Sequence, residues 1–486
     1  MMRPWPGAGI AVAGAPPHPH DTASATQAWV EPGRGLLWDL VPAFGLIALV
    51  MLGTAVGLGG LMRLVFPMLA LAVGVALLGT RRTGAYVCFC IWLFVLTPWL
   101  RRWMDLDLGW LRVNPVMLAP WAASAPSLVL LLRMVAGPAF PLAGPMLVAI
   151  VAAGYGLVLG VAQGSLTGAV FDWLRYAVPP CFAALVIVAL PESPSLPRRV
   201  VRTLALGAAL AGVYGVVQFT ILPAWDAEWV RDVIEFARMT SIGYPFPYEV
   251  RVFSLLNSPH SLAAFLGAAM PFLIVIPGPL QLVALACAAA GLLLTMARTY
   301  WLAVAAAVLY LLVRGRPGLK VQAAIVVGGL LVLLPAAAVF VPEAMTSVTE
   351  RLATLGADRL DADISANSRE GDYRALVDLL EIQPLGVGLG NGLTFDGQVI
   401  ESYYALGLVA GSVYLAAVAW CFAVSLVGVR RGAPPVALAG SAVALQVLLA
   451  APLSSAFVGE LGMFGWLAMA FCHLRPAHGG PEPLRA

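Results

Sequence analysis

Residues 341–400 read VPEAMTSVTERLATLGADRLDADISANSREGDYRALVDLLEIQPLGVGLGNGLTFDGQVI, and they interrupt a chain that is otherwise a series of apolar runs. Four arginines and ten carboxylates fall within this insert. A membrane protein that only has to span the bilayer keeps its connections short, and long loops usually carry function. The insert is therefore the first place to look for chemistry.

Composition indicates a membrane protein. The chain of 486 residues is 61% hydrophobic and 11% charged, with a mean hydropathy of +0.89, whereas soluble proteins carry about 25% charged residues. Apolar runs of bilayer-spanning length recur from 36–56 to 455–472. They predict an all-α polytopic transmembrane bundle of about 12 to 14 spans, with short helices in one long extracytoplasmic loop. A net charge of +3 is too small to indicate a nucleic-acid partner.

The runs divide the chain into five parts: a disordered cytoplasmic tail at 1–35, a first bundle segment at 36–341, an extracytoplasmic loop at 342–401, a last bundle segment at 402–472 and a cytoplasmic tail at 473–486. Cytoplasmic loops of membrane proteins are enriched in Lys and Arg. Four basic clusters fall on one side if the amino terminus is cytoplasmic: Arg81-Arg82, Arg198-Arg199-Arg202, Arg314-Arg316-Lys320 and Arg430-Arg431. This orientation predicts that the insert lies outside the cytoplasm.

Five arginines fall on the other side, against this bias: Arg101, Arg102, Arg112, Arg251 and Arg298. A guanidinium at the hydrocarbon boundary is costly and persists where it meets an anion or lines a polar cavity. Snorkelling to the headgroups is the plainer alternative. Together with Arg374 of the insert, Arg251 and Arg298 flank one predicted face, and the planar fork of arginine suits phosphate oxygens. These three arginines are therefore the candidate anion-binding residues.

The insert contains a predicted amphipathic helix. Asn367–Glu370 has the form of a capping box, in which an N-cap side chain is followed by Glu three residues later. Apolar residues then recur at helical spacing before the stop at Pro384: Tyr373, Leu376, Val377 and Leu380. We expect their stripe to dock on the bundle or the headgroups and to hold Arg369 and Arg374 near that surface.

Glycines alternate through Gly386–Gly392 at the end of the insert. A phosphate-binding loop would need Gly-Lys-Ser or Gly-Lys-Thr between a strand and a helix, and this run has neither the motif nor the context. We interpret the run as a tight, flexible turn that leads back to the membrane.

The order of these features resembles the superfamily of O-antigen ligases and Wzy-type polysaccharide polymerases, which are integral-membrane glycosyltransferases of the GT-C kind. The resemblance covers roughly the carboxyl-terminal half of the chain. Its elements are Arg251, the motif Asn257-Ser-Pro-His-Ser-Leu-Ala-Ala264, the pair Ala297-Arg298, Arg374, Pro384–Gly388 and the aromatic-rich run Tyr403–Gly411.

The resemblance implies transfer of an oligosaccharide from undecaprenyl pyrophosphate to an acceptor hydroxyl, at the periplasmic face of a bacterial inner membrane, with no metal and no cofactor. Arg298 and Arg251 would stabilise the departing pyrophosphate, with Arg374 assisting. Arg369 and His260 are further substrate-contacting candidates, and a structural hydrogen bond is the alternative role for His260. The implied partners are the lipid-linked oligosaccharide, the lipid bilayer and, as is common beside such polymerases, a polysaccharide co-polymerase.

One departure from the ligase pattern bears on the reaction. Ligases carry a His at the end of this insert that is thought to act on the acceptor, and this insert contains no His. Counting back from Gly407 or Gly411 by the spacing of the ligases that the chain resembles, the resemblance implies Asp396 or Glu401 as the group that activates the acceptor hydroxyl, with Arg298 as the catalytic cation. The favoured function is a metal-independent polymerase of exopolysaccharide, capsule or O-antigen. The alternatives are ligase-type transfer to a lipid or protein acceptor, a transporter or flippase for a lipid-linked substrate, and a non-enzymatic assembly scaffold.

Overall fold

The computed structural model describes residues 34–137, 140, 142–276, 278–321, 324, 328, 364–391, 397–430 and 433–474. The helices are α1 Arg34–Gly53, α2 Gly59–Gly79, α3 Thr83–Leu108, α4 Ala119–Ser124, α5 Val129–Ala136, α6 Ala143–Ala162, α7 Leu166–Ala189, α8 Leu196–Thr220, α9 Ala224–Ala237, α10 Pro259–Val275, α11 Pro279–Leu294, α12 Arg298–Arg314, α13 Ile364–Ile382, α14 Gln398–Gly428, α15 Pro435–Ala450 and α16 Gly459–Ala470. Most of the two predicted tails and of the predicted span at 319–341 lies outside the described residues.

The predicted all-α membrane fold is confirmed. Among the described residues, seven helical stretches are long and apolar enough to cross a bilayer, and α10, α11 and α15 are shorter apolar helices. The part of the chain that the structure describes has no β-strand beyond one isolated bridge between Gly243 and Val250. Large apolar side chains such as Leu52 and Met68 stay exposed on the outer helices, as expected of surfaces that contact lipid. The total of 12 to 14 spans, about as many as the apolar runs allow, stays a prediction.

A sharp bend divides the first apolar stretch, Leu36–Gly79. As one straight helix its 44 residues would extend about 66 Å, roughly twice the thickness of a hydrocarbon core. Gly57 has a φ of 87°, outside the helical region, and the bend brings Met62 against Gly53. α1 and α2 are therefore separate elements, in agreement with the two apolar runs in the sequence.

Polar side chains concentrate at the two ends of the bundle. At one end the buried Asp39 of α1 accepts hydrogen bonds from Arg199 and Arg202 of α8. We call the other end of the bundle the site end. The helices that end there include α3, α6, α8, α11 and α15, and the helices that begin there include α2, α7, α10, α12, α14 and α16. Arg251 and Arg298, which the sequence singled out, both lie at the site end.

A buried carboxylate binds Arg101, one of the arginines that lie on the side opposite to the one that the positive-inside bias predicts. Asp105 near the end of α3 binds Arg63 of α2 at 2.6 Å and Arg101 at 3.2 Å. Asn114 donates to the same carboxylate at 2.8 Å, and the Arg101 guanidinium lies 4.6 Å from the ring centroid of Trp229. Internal pairing, rather than snorkelling to headgroups, stabilises Arg101.

Arg102 and Asp226 form an ion pair in which both side chains are fully buried. Arg102 Nε donates to Asp226 Oδ1 at 2.7 Å, and the second carboxylate oxygen accepts from Tyr214 Oη and Gln218 Nε2, each at 2.7 Å. The pair thereby joins α3, α8 and α9. A charge buried in this way is tolerated only while its partner and its other hydrogen bonds are present.

Replacing Asp226 by Asn should lower the free energy of unfolding by about 3 to 5 kcal/mol, because it leaves the Arg102 charge buried without compensation. Denaturant unfolding of the purified protein in detergent, followed by tryptophan fluorescence, measures the change. Glu228→Gln on the same helix is the matched control, since the Glu228–Arg231 pair is exposed and such pairs contribute little. Equal losses in the two variants would contradict this role of Asp226.

The outer face of α9 carries an acidic cluster of Glu228, Asp232 and Glu235, spaced about one turn apart. Partial burial, followed by repulsion from Glu228, Asp105 and Glu235, raises the pKa of Asp232 to about 6. A carboxyl group whose pKa is raised on folding is more favourable when protonated. The contribution of Asp232 to stability is therefore fully present below the pKa that this carboxyl group has in the unfolded chain. That contribution is lost as the pH rises through about 6, the pKa of Asp232 in the folded protein.

Asp232→Asn should raise the melting temperature near neutral pH, because the variant lacks the charge that folding disfavours. Near about pH 4 the wild-type group is already protonated in the folded state, so the same substitution should have little effect there. Thermal unfolding of both proteins across this pH range tests the expectation. A stabilisation that is the same at both pH values would be inconsistent with the raised pKa of Asp232.

Candidate functional site

Buried side chains fix the backbone of segment 251–258, which leads into α10. The Gln218 side chain accepts a hydrogen bond from the backbone nitrogen of Ser254 at 2.7 Å. The Arg102 guanidinium donates to the carbonyl oxygens of Ser254 and Leu256. Because the same two side chains bind the buried carboxylate of α9, the ion pair determines the path of this segment.

Arg251 is the first residue of that segment, and its side chain reaches the turn between α11 and α12. Its Nε donates to the carbonyl of Thr295 at 3.1 Å and its Nη2 to that of Met296 at 3.4 Å, while Nη1 reaches the carbonyl of Ser241 at 3.0 Å. Arg298, two residues after Met296, is the first residue of α12. The structure thus brings the two predicted arginines to one place, beside a helix N-terminus that favours anions.

The segment Pro384–Gly390 supplies hydrogen-bond partners for the backbone of α14 where that helix is interrupted. Gly407 has a φ of 72° and breaks the helix. Backbone bonds of 2.8–3.0 Å join the segment to the break, from Val387 N to Tyr404 O, from Gly388 N to Ala405 O and from Leu408 N to Pro384 O. Non-helical backbone persists at membrane depth only where protein groups or a water-filled cavity satisfy it. The segment is therefore a packed part of the bundle.

Three glycines make this packing possible. Gly386, Gly388 and Gly390 have φ values of 82°, 75° and 90°, in the region that glycine adopts without strain. A Cβ at these positions would lie 2.3, 2.4 and 2.3 Å from backbone atoms of α14, α6 and α7 respectively. The run is thus a close-packed element, and the interpretation of it as a flexible turn is wrong.

α13 docks on the bundle with part of its predicted stripe. The helix already includes Ile364, so it begins before the predicted capping box, and that predicted start is wrong. Tyr373 donates to the carbonyl of Pro452 at 3.1 Å, and Leu376 is buried. Val377 is 58% exposed and lies outside the docked face.

The structure describes the predicted site residues of the insert to different extents. Arg374 is exposed on α13, one residue after the docked Tyr373. Arg369 belongs to the same helix, but its side chain is outside what the structure describes, and Asp396 lies outside the described residues altogether. His260 is half-buried in the first turn of α10.

The loop 451–458, between α15 and α16, connects several elements at the site end. Gln398, the first residue of α14, accepts from the backbone nitrogen of Phe457 at 3.0 Å and donates its own backbone nitrogen to the carbonyl of Ala451 at 3.0 Å. Ser454 shares a hydrogen bond of 3.1 Å with Tyr300 in the first turn of α12. This loop therefore joins the helix that starts at Arg298 to the helix that carries Glu401.

Arg175 of α7 lies inside the site end among carboxylates. Its Nη1 donates to Asp172 Oδ1 at 3.0 Å, and its Nη2 is 3.9 Å from Glu401 Oε1. The guanidinium also lies against Gly459, where a Cβ would be 3.3 Å from Nε and Nη2. Ser455 donates to the other oxygen of Glu401, so both oxygens of the predicted catalytic carboxylate face protein groups.

Glu460 adds a third carboxylate to this group. It occupies the first turn of α16 directly after Gly459, which lies against the Arg175 guanidinium, and its side chain is half-buried. We call Asp172, Arg175, Glu401 and Glu460 the Arg175 cluster. Its Asp172 also accepts from the backbone nitrogen of Gly390 at 3.0 Å, which connects the cluster to the glycine-rich segment.

Sequence reasoning found only Glu401 among the four residues of the Arg175 cluster. Arg175 lies within the predicted run 173–191, and Glu460 within the predicted run 455–472. An ionisable residue inside a membrane run is by default a functional-site hypothesis, and the i, i+3 spacing of Asp172 and Arg175 places both on one helix face. Those two signals could have identified the cluster.

Comparison with known proteins gives one family. Residues 283–412 match the family model Wzy_C, described as O-antigen ligase. The match runs from α11 to the middle of α14 and includes Arg298, Arg374 and Glu401. It confirms the resemblance to the O-antigen ligase and Wzy superfamily over this part of the chain. Searches of curated proteins and of solved structures give no match.

Gly388→Ala should destabilise the protein by at least about 2 kcal/mol, because it combines a strained positive φ with a clash against α6. Gly371→Ala in α13 is the matched control: a Cβ there meets no atom within 4 Å. The control should be neutral or slightly stabilising through helix propensity, by up to about 1 kcal/mol. Unfolding of both variants in detergent measures the difference, and a Gly388→Ala protein as stable as the control would contradict the packed arrangement.

Proposed function

We propose that this chain is a membrane polysaccharide polymerase that joins undecaprenyl-pyrophosphate-linked oligosaccharide repeat units into an exopolysaccharide, capsule or O-antigen. In this proposal the bundle lies in the bacterial inner membrane and the site end faces the periplasm. The match of residues 283–412 to a glycan-ligase family carries the proposal, because the matched helices begin or end at the site end.

The donor side of the reaction needs positive charge where the pyrophosphate departs, since the breaking bond leaves its electron pair on a phosphate oxygen. Arg251, held on the carbonyls that precede α12, and Arg298 at the start of α12 would supply that charge. The N-terminus of α12 adds N–H groups suited to phosphate oxygens. Arg374 and Arg369 on α13 would assist from the insert. In this proposal no metal and no cofactor is needed.

The acceptor side needs a group that takes the hydroxyl proton. The sequence candidates are Glu401 and Asp396, and Glu401 is supported by its place in the Arg175 cluster. His260, half-buried beside the same end, would contact the substrate or support α10. The absence of His from the insert sequence favours repeat-unit polymerisation over ligase-type transfer, which relies on such a residue in the proteins that the chain resembles.

Ligase-type transfer to a lipid or protein acceptor is the second candidate, because the matching family model carries the description O-antigen ligase. The two reactions share a donor and differ in the acceptor: another repeat unit in a polymerase, a separate lipid or protein in a ligase. A single assay of product sizes therefore distinguishes them, and it also detects a flippase, which forms no covalent product. The proposed co-polymerase partner would affect the length of the polymer and not the distinction between a polymerase and a ligase.

Arg298→Ala should abolish polymer formation while leaving the protein folded. The assay uses the purified protein in lipid vesicles with the undecaprenyl-pyrophosphate-linked repeat unit of the native host, and products are resolved by size. We expect a ladder spaced by one repeat unit from the wild type and a rate at least about 100-fold lower in the variant, as for loss of a charge that stabilises the transition state. Arg430→Ala, exposed beyond the opposite end of α14, is the matched control and should keep the ladder.

Three results would overturn parts of this proposal. Transfer of one glycan to an added acceptor without a ladder would identify a ligase instead of a polymerase. Movement of the lipid-linked donor between leaflets with no covalent product would replace the enzyme by a transporter. A wild-type ladder that survives Arg298→Ala would keep the polymerase and remove the catalytic role of Arg298.

A further inference from the structure

We propose that Arg175 of α7 is a positioning residue that directs the Glu401 carboxylate to the acceptor hydroxyl, and that Asp172 holds Arg175 in place; this inference rests on the proposed function. Arg175 and Asp172 lie outside the matched residues 283–412 and far from Glu401 in sequence. The contacts on which the inference depends join three helices of the site end, α7, α14 and α16.

Arg175 lies inside an apolar helix rather than at its boundary. Its helix is a candidate membrane span over Leu166–Ala189, and Arg175 stands more than two turns after the start. Ionisable residues inside spans are costly, face the bundle interior or a water-filled cavity, and mark functional sites. The Arg175 side chain is 23% exposed, so it is not sealed in the core. A charge in this place is therefore a candidate for a role in the reaction.

The two oxygens of Glu401 have different surroundings. Ser455 donates a hydrogen bond to Oε2, whereas Arg175 Nη2 lies 3.9 Å from Oε1. That distance is too long for a hydrogen bond, so the guanidinium attracts the carboxylate without occupying Oε1. In the part of the chain that the structure describes, Oε1 accepts no hydrogen bond. Ser455 thus fixes one oxygen, and the Arg175 charge orients the other for the proton of a hydroxyl.

Asp172 and Gly459 fix the position of the Arg175 guanidinium. Asp172 Oδ1 accepts from Arg175 Nη1 at 3.0 Å, and Asp172 Oδ2 accepts from the backbone nitrogen of Gly390 at 3.0 Å. On the side of α16, a Cβ at Gly459 would lie 3.3 Å from Nε and Nη2 of Arg175, and the φ of Gly459 is 65°, which favours glycine. The guanidinium is therefore tied to the glycine-rich segment and confined by the start of α16.

The step that this arrangement serves is a single displacement at the anomeric carbon of the lipid-linked donor. The acceptor oxygen forms a bond to that carbon while the carbon–oxygen bond to pyrophosphate breaks, and the electron pair leaves on the pyrophosphate. The hydroxyl proton moves to Glu401 Oε1, which releases it to water before the next turnover. Arg175 takes no proton and forms no bond. Its charge holds the carboxylate in the direction from which the hydroxyl approaches.

The test is a double-mutant cycle on Arg175 and Glu401 in the vesicle assay with the undecaprenyl-pyrophosphate-linked repeat unit. Glu401→Gln should lower kcat at least about 100-fold, the usual contribution of a general base. Arg175→Gln alone should lower kcat about 10-fold, within the range of coupling between residues in contact. In the Glu401→Gln background the same change should alter kcat less than about 2-fold, because the effects of residues that act as a unit do not add.

Three further variants separate positioning from a general structural role. Titration of the lipid-linked donor should give unchanged binding in Arg175→Gln, and Arg175→Lys, which keeps the positive charge, should recover part of kcat. Asp172→Asn should cause a smaller loss of kcat, and it takes the place of Arg175→Gln in the cycle if that protein does not fold. Arg231→Gln is the matched control and should equal wild type, since it breaks an exposed arginine–carboxylate pair of the same i, i+3 spacing in α9.

The outcomes distinguish the inference from the proposed function. A loss of kcat by the same factor in both backgrounds of the cycle would overturn the inference, and so would donor binding lost in proportion to rate. A Glu401→Gln protein as active as wild type would also overturn it and leave the polymerase with another acceptor group. A wild type that transfers glycan to no acceptor would instead overturn the proposed function.

Discussion

The fully buried Arg102–Asp226 pair is the interaction on which the site end depends. Two charges removed from water are stable only with complementary geometry and a full set of hydrogen bonds, and here α3, α8 and α9 supply them. Satisfying Arg102 requires carbonyls from the segment before α10, which fixes the backbone that begins at Arg251. An arginine that opposes the positive-inside bias is thereby explained as a structural anchor.

The same requirement for satisfied polar groups governs the other side of the site end. α14 is broken at Gly407, and its free backbone groups must find partners because lipid offers none. The segment Pro384–Gly390 supplies them, and it fits only because its glycines have positive φ and no Cβ. Its last glycine then bonds Asp172, so the packing of a backbone segment determines the position of the Arg175 cluster.

These two constraints give the site end two chemically different sides. Arg251 and Arg298 lie beside the start of α12, where the proposed reaction would place the departing pyrophosphate. The Arg175 cluster concentrates carboxylates at the starts of α14 and α16. The loop 451–458 connects the sides. Leaving-group stabilisation and proton removal need such opposite environments close together, because each would suppress the other in a single uniform site.

The sequence by itself determined the class of fold and most helix positions, because apolar length is a local property. It also made Arg251 and Arg298 candidate anion-binding residues through their charge placement. Tertiary structure decided the rest. The roles of Arg102 and Asp226, 124 residues apart, depend on which helix ends pack together, and so does the meeting of Arg175 with Glu401 and Gly459. The glycine run likewise changed from a turn to a packed element through contacts with α6, α7 and α14. Such contacts join residues distant in the chain, so no local pattern encodes them.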